Sequence, residues 1–118
     1  MLSNPPINFD RIDEMTEGDA DFKAELLTAI YNSLHELREK YLEGSEEQND
    51  TTIQEIRHKV KPALSLFEIN QINELLNEGK DILADKGFGK EFIEHLDAFL
   101  DAVQEAIDFV KPYIENKE

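Results

Sequence analysis

Four long segments of this chain carry apolar residues at the spacing of an α-helix. In each of them, apolar side chains recur every three or four residues, which places them on one helix face. No stretch shows the apolar–polar alternation that is typical of half-buried strands. Short clusters that contain proline or glycine, the residues that most often interrupt helices, separate the segments. The sequence therefore predicts an all-α fold.

The clusters set the predicted ends of five helices. We expect helices over residues 9–15, 19–42, about 51–67, 70–84 and 90–118. Asp19 is placed to cap the second helix, and Asp50 or Thr51 the third, because their side-chain oxygens accept hydrogen bonds from first-turn amides. A polar loop is predicted over residues 44–50, and Pro112 is expected to kink or end the last helix.

The length of the chain limits it to one domain. Its 118 residues suffice for a single hydrophobic core. Residues 1–8 contain Pro5-Pro6 and are predicted to form an extended arm, and residues 9–118 to form the domain. Four long amphipathic helices with short links predict an antiparallel up-down four-helix bundle. The short first helix is expected to cover one end of this bundle.

The chain is strongly acidic. Its 12 basic and 27 acidic side chains give a formal net charge of −15 at pH 7. Such a surface repels phosphate backbones, so no nucleic acid is expected as a partner. The absence of cysteine excludes disulfides and thiolate metal sites. No segment is apolar over enough length to span a membrane, and no signal peptide is recognised. We expect a cytoplasmic monomer.

The sequence lacks the motifs of several large enzyme classes. It contains neither the glycine-rich loop of P-loop nucleotide-binding proteins nor a nucleophile elbow. A di-metal helical bundle needs Glu-x-x-His on two helices, and the chain matches once, at Glu55-Ile56-Arg57-His58. We therefore predict no cofactor and no metal, and a metal-dependent bundle enzyme is the least favoured reading.

The three histidines differ in their predicted exposure. At about 100° per residue, His58 lies almost opposite the apolar face of the third helix and projects into solvent. His35 is predicted to be a solvated surface residue, and His95 a residue at the border of its apolar face that covers part of the core. An ordinary imidazole is mostly neutral at pH 7, so an exposed one has a nitrogen free to accept a phosphoryl group.

A short basic stretch surrounds His58. No acidic residue occurs over residues 56–67, and Arg57, Lys59 and Lys61 supply three of the 12 cations. We call these three residues the basic island. Lys61 lies one turn from His58 and is placed to offset the charge of about −1.5 to −2 that a phosphoryl group adds. The alternative is an ordinary solvated helix face on which cations cluster by chance.

The segment His58-Lys59-Val60-Lys61-Pro62 resembles the His-x-Leu-Lys-Gly motif of histidine-containing phosphotransfer (HPt) domains from bacterial-type phosphorelays. In that family the motif lies on an exposed helix of a four-helix bundle. Residues on both sides of the segment also match the family. These flanking matches are Asp21-Phe22, Glu25-Leu26-Leu27, Leu64, Phe67, Ile72, Leu75 and Leu76. The resemblance covers about residues 9–84.

The resemblance implies a role in a two-component phosphorelay. His58 would accept a phosphoryl group from an aspartate of a receiver domain and donate it to another, in a relay that includes a hybrid sensor histidine kinase. Lys61 would stabilise the phosphoryl group, while the response-regulator receivers would supply Mg²⁺ and most catalytic groups. The domain would have no ATP site of its own. The residues expected to contact the receivers are Gln54, Arg57, Lys59, Pro62 and Ser65.

Two positions depart from the family pattern. Pro62 stands where the family usually has glycine, and Glu68-Ile69 lies near the place where many members have a glycine that ends the third helix. We expect one kinked helix through Pro62, because the apolar phase continues across it; in the alternative, Pro62 begins a new helix. A second reading of the same face is a non-catalytic module that docks a receiver or a partner helix through Pro62, Leu66 and Ile69, without phosphoryl turnover.

Overall fold

The computed structural model describes residues 7–115, and these residues form five helices joined by short links. The helices are α1 (Phe9–Thr16), α2 (Ala20–Glu46), α3 (Asp50–Leu66), α4 (Asn70–Lys86) and α5 (Lys90–Glu115). Among the described residues there is no strand, so the all-α prediction is confirmed. Of the predicted arm, residues 1–6 lie outside the described part, Ile7 is buried in the core and Asn8 caps α1.

Side-chain caps mark the beginning of α1, α2 and α3. Asp19 caps α2 by accepting hydrogen bonds from two amides of the first turn, so this prediction is confirmed. The cap of α3 is Asn49, whose side chain accepts from the amide of Thr52. The prediction that Asp50 or Thr51 caps α3 is therefore wrong by one or two residues. Such a cap contributes about 1 kcal/mol to helix stability.

The predicted loop over residues 44–50 is wrong, because α2 continues through Gly44 and the link is residues 47–49. Gly44 is buried near the end of α2, where this helix faces the first turn of α3. A Cβ atom at this position would lie 2.8 Å from Cγ1 of Ile53 and 3.2 Å from the backbone oxygen of Asn49. Glycine is therefore needed here for the close approach of two helices, and it does not end α2.

Both of the later prolines lie inside helices. α3 runs without interruption through Pro62, so the prediction of a single helix is confirmed and the alternative of a new helix at this residue is wrong. Val60 and Leu64, on either side of it, are both buried, and this burial holds the helix together across the proline. At Pro112, α5 also continues, so this proline does not end the helix.

Each of the four long helices packs against two of the others. α2 and α4 each contact α3 and α5, and the short α1 contacts α2. One core of buried side chains fills the space between them. Its largest fully buried members are Tyr41, Phe92, Phe99, Ile7, Ile12, Leu34, Leu37, Ile53, Ile69, Ile72, Leu76 and Ile107. Within residues 7–115, no helix is apolar over enough length to cross a membrane.

The short helix α1 lies at one end of the long helices. The ring of Phe9 stacks on that of Phe109 with 5.3 Å between centroids, and meets the ring of Tyr113 edge-on at 4.7 Å. Nε of Arg11 donates a hydrogen bond to the carbonyl oxygen of Leu66, the last residue of α3. α1 therefore lies over the end at which α3 and α5 finish.

We expect Gly44→Ala to lower the free energy of unfolding by about 1–3 kcal/mol, the cost of overpacking a core position. This is the opposite of the helix-propensity effect, by which alanine is favoured over glycine by about 1 kcal/mol. Urea denaturation followed by circular dichroism measures the change. Ala29→Gly, at an exposed position of the same helix, reports the propensity term alone. A stabilisation by Gly44→Ala equal to the loss in Ala29→Gly would show that the two helices do not restrict this position.

Candidate functional site

His58 lies exposed on α3, as its helical position predicts. Ile56 and Val60, its neighbours on the opposite face of the helix, are 3% and 4% exposed. Their burial fixes the rotation of α3 and thereby directs His58 outward. The imidazole borders a shallow, open depression between α3 and α4. The residues that line this depression are Thr51, Gln54, Glu55, Arg57, His58, Lys59, Lys61 and Lys80.

The depression is cationic although the chain is acidic. Its lining holds four of the 12 basic side chains, of which Lys80 comes from α4, and one acidic side chain, Glu55. Lys80 of α4 therefore faces the same depression as the basic island of α3. Sequence reasoning missed Lys80, because no local spacing relates a residue of α4 to a residue of α3.

Two hydrogen bonds set the register of α3 against α4. Nζ of Lys61 donates to Oδ1 of Asn77 at 2.6 Å, and Nδ2 of Asn73 donates to Oγ of Ser65 at 3.5 Å. Four residues back along α3, from Ser65 to Lys61, correspond to four residues forward along α4, from Asn73 to Asn77. The two helices therefore run antiparallel at the site.

The cations of the depression differ in how far their charge is neutralised. Nζ of Lys59 forms an ion pair with Oε2 of Glu36 on α2 at 2.8 Å, so its ammonium group is directed to α2. Lys61 is held by a neutral amide oxygen, which leaves its charge uncompensated. The side chains of Arg57 and Lys80 form no hydrogen bond or ion pair with any of residues 7–115. Of the basic island, Lys59 is therefore the cation whose charge is already paired.

The other residues predicted to contact a partner are divided between two places. Gln54 lines the depression and donates a hydrogen bond to Oδ2 of Asp50 at 2.8 Å. Pro62 and Ser65 are exposed farther along α3, outside the depression. The structure thus brings Gln54 together with His58 and the basic island, and leaves the other two to its side.

The alternative docking face is smaller than the sequence predicts. Leu66 is 43% exposed beside the exposed Pro62. Ile69 is only 2% exposed, because it belongs to the core where α4 begins. The prediction that Ile69 contacts a partner is therefore wrong.

A buried polar network joins α2, α4 and α5, and the sequence did not reveal it. The hydroxyl of Tyr41 lies 2.8 Å from Nε2 of His95, and Nδ1 of the same ring lies 3.2 Å from Oε1 of Glu78. Because a carboxylate only accepts, the neutral ring carries its proton on Nδ1 and accepts from the Tyr41 hydroxyl at Nε2. His95 is 5% exposed, far deeper than the border position that its helix suggests. Gly79 allows this approach, since a Cβ there would collide with the Tyr41 hydroxyl and the His95 ring. In the sequence, the one sign of this network is a glycine in the middle of a helical segment, at Gly79.

Burial dominates the electrostatics of this network. It lowers the pKa of His95 below its ordinary value, although Glu78 acts in the opposite direction. It raises the pKa of Tyr41, with an opposing contribution from the positive charge of Arg57. Because Arg57 also lines the depression, the network and the depression are neighbours.

The sequence predicts that His35 is a solvated surface residue, but its side chain is half-buried. Its ring meets the ring of Tyr31 edge-on, with 4.6 Å between centroids. In the part of the chain that the structure describes, no three His, Asp or Glu side chains are grouped so that they could hold a metal ion. Glu55 and His58 both line the depression without a third ligand of this kind.

Comparisons of the chain with protein-family models, with curated proteins and with solved structures found no match. What the protein does is therefore inferred from the chemistry of the depression around His58.

We expect His95→Gln to reduce the loss of stability that accompanies acidification. Since the folded-state pKa of His95 is lowered, the unfolded chain binds this proton more readily. The contribution of neutral His95 to the free energy of unfolding is fully present above the pKa of the unfolded chain, about 6.5. It is lost as the pH falls toward the lower pKa of the folded protein. Glutamine keeps hydrogen-bonding groups but does not titrate. Urea denaturation between about pH 7 and about pH 5 measures the effect.

His35→Gln is the matched control, because it removes a histidine outside the network. It should retain the pH dependence of the parent protein. Equal pH dependence of His95→Gln and the parent would exclude His95 as the source. An NMR titration of the His95 ring in the parent protein gives a second, direct readout.

Proposed function

We propose that this protein is a histidine phosphotransfer protein of a two-component phosphorelay. His58 accepts a phosphoryl group from the aspartate of one receiver domain and passes it to another. The observation that carries the proposal is an exposed imidazole set in the cationic depression of an otherwise acidic chain. The partners are response-regulator receivers and a hybrid sensor histidine kinase, and the protein acts as a cytoplasmic monomer.

The chemistry requires little more than a nucleophilic nitrogen and compensating charge. The lone pair of the neutral imidazole forms the P–N bond as the acyl phosphate P–O bond breaks, and the receiver aspartate leaves as a carboxylate. Transfer to the next receiver reverses these steps. The phosphoryl group brings about −1.5 to −2 charges to the site. Lys61, one turn from His58, is the cation on the same helix best placed to offset them.

We further propose that the helices form an antiparallel up-down four-helix bundle with α1 as an added helix at one end. The packing of each long helix against two others and the antiparallel register of α3 and α4 support this architecture. It is also the architecture of the HPt family, which the segment from His58 to Pro62 resembles. In such a bundle, His58 stands on the outer surface, where a receiver could reach it.

We expect the parent protein to gain label from a phosphorylated receiver, and His58→Gln to gain none. The label should be acid-labile and base-stable, which is the behaviour of a phosphoramidate. Lys61→Ala should reduce the transfer rate about three- to tenfold, because it removes a contact with a charged group. His35→Gln is the control and should be labelled like the parent.

Two results would contradict the proposal in different ways. Label on His58→Gln at the parental level would mean that another residue is the acceptor. Absence of label across a panel of phosphorylated receivers, with circular dichroism showing a folded protein, would mean that the protein is not a phosphoryl carrier for them.

The second candidate is a non-catalytic module, favoured by the exposed Leu66 beside Pro62. It would bind a receiver or a partner helix through these side chains, without phosphoryl turnover. We expect the two functions to separate in a binding measurement by isothermal titration calorimetry. If the protein is a non-catalytic module, its affinity for a receiver is unchanged by His58→Ala and lowered by Leu66→Ala, and it gains no label. If it is a phosphoryl carrier, it gains label from the phosphorylated receiver.

A further inference from the structure

Lys80 is the one residue of α4 that lines the depression around His58. It is exposed, and no hydrogen bond or ion pair joins its side chain to any of residues 7–115. The helix explains why, since its neighbours three and four residues away are Leu76, Asn77, Leu83 and Ala84. None of them is acidic, although α4 carries four acidic residues, Glu74, Glu78, Asp81 and Asp85. Its positive charge is therefore free to act on the depression.

The register of the two helices places Lys80 across from His58. The contact between Lys61 and Asn77 is a fixed point in this register. Three residues back along α3 lead from Lys61 to His58, and three residues forward along α4 lead from Asn77 to Lys80. Because the helices are antiparallel, both steps go one turn in the same direction. Lys80 and His58 are therefore opposite one another across the depression.

The cations around the imidazole are not all neutralised by neighbouring acidic groups. Lys59 is already paired with Glu36, while Lys61 contacts only a neutral amide and Lys80 contacts no acceptor among the described residues. Glu55 is the one acidic residue of the lining. An anion on His58 would thus lie between two uncompensated cations on its own helix, Lys61 and Arg57, and one on the facing helix, Lys80.

We propose that Lys80 contacts the phosphoryl group carried on His58 from the side of α4. This inference rests on the proposed function and adds a residue to it. With Lys61 on α3, Lys80 forms a two-sided clamp for the phosphoryl oxygens. The clamp stabilises the phosphorylated state more than a loose, metaphosphate-like transition state, in which the transferring group carries less negative charge. Lys80 therefore slows the loss of the phosphoryl group to water.

The test uses the small-molecule donor phosphoramidate, so that no receiver is needed. It labels His58 by forming the P–N bond to the ring and releasing ammonia. We expect phosphorylated Lys80→Gln to hydrolyse about three- to fivefold faster than the parent, the effect of one partly exposed ion pair. The difference should shrink as salt is added, because the contact is exposed. ³¹P NMR follows the phosphorylated species over time.

Two control variants test whether the half-life of phosphorylated His58 depends on a positive charge at this position. Lys80→Arg keeps the cation and should retain the parental half-life. Lys90→Gln removes an exposed lysine at the start of α5, outside the depression, and so makes the same change in net charge. It should leave the half-life unchanged. Equal half-lives of Lys80→Gln and Lys90→Gln would overturn the inference, as would a Lys80→Arg half-life as short as that of Lys80→Gln.

The remaining outcomes distinguish this inference from the proposed function. If no receiver transfers label but the half-life of phosphorylated His58 depends on Lys80, the proposed function fails and the clamp stands. If receivers transfer label and Lys80→Gln behaves like the parent, the clamp fails alone. Failure of phosphoramidate to label His58 would overturn the inference, because an exposed imidazole beside free cations must react with it.

Discussion

Burial of one face of α3 is the constraint on which the rest of the site depends. Ile53, Ile56, Val60 and Leu64 are all at most 4% exposed, so the rotation of this helix has little freedom. Each fully buried aliphatic side chain contributes about 1.5–3 kcal/mol, and turning the helix would forfeit several of them at once. The outward direction of His58 is thus a consequence of core packing. The site inherits its geometry from residues that take no part in its chemistry.

Tertiary contacts then sort the cations that the sequence places together. In the chain, Arg57, Lys59 and Lys61 look equivalent, because they alternate around a single histidine. In the fold, Glu36 of α2 neutralises Lys59, and Asn77 of α4 holds Lys61 without neutralising it. The two neighbouring helices therefore leave one lysine with its charge paired and the other with its charge uncompensated. These contacts decide which cations near His58 keep an uncompensated charge, and the sequence alone does not.

What the sequence predicted well depends on local periodicity, and what it missed depends on contacts between helices. Apolar spacing was enough for the all-α fold, for a continuous α3 and for the exposure of His58. It failed at Gly44, where a residue that usually interrupts helices instead allows α3 to approach α2. It failed again at His95, whose angle on α5 gave no sign of Tyr41.

Pro62 shows how the packing of α3 and the chemistry of the site meet. Because proline has no N–H, the helical hydrogen bond that would end on the carbonyl of His58 is missing. A proline inside a helix costs about 3 kcal/mol, and burial of Val60 and Leu64 offsets that cost. Because α3 stays continuous there, core packing, and not a complete set of helical hydrogen bonds, keeps the exposed His58 in place.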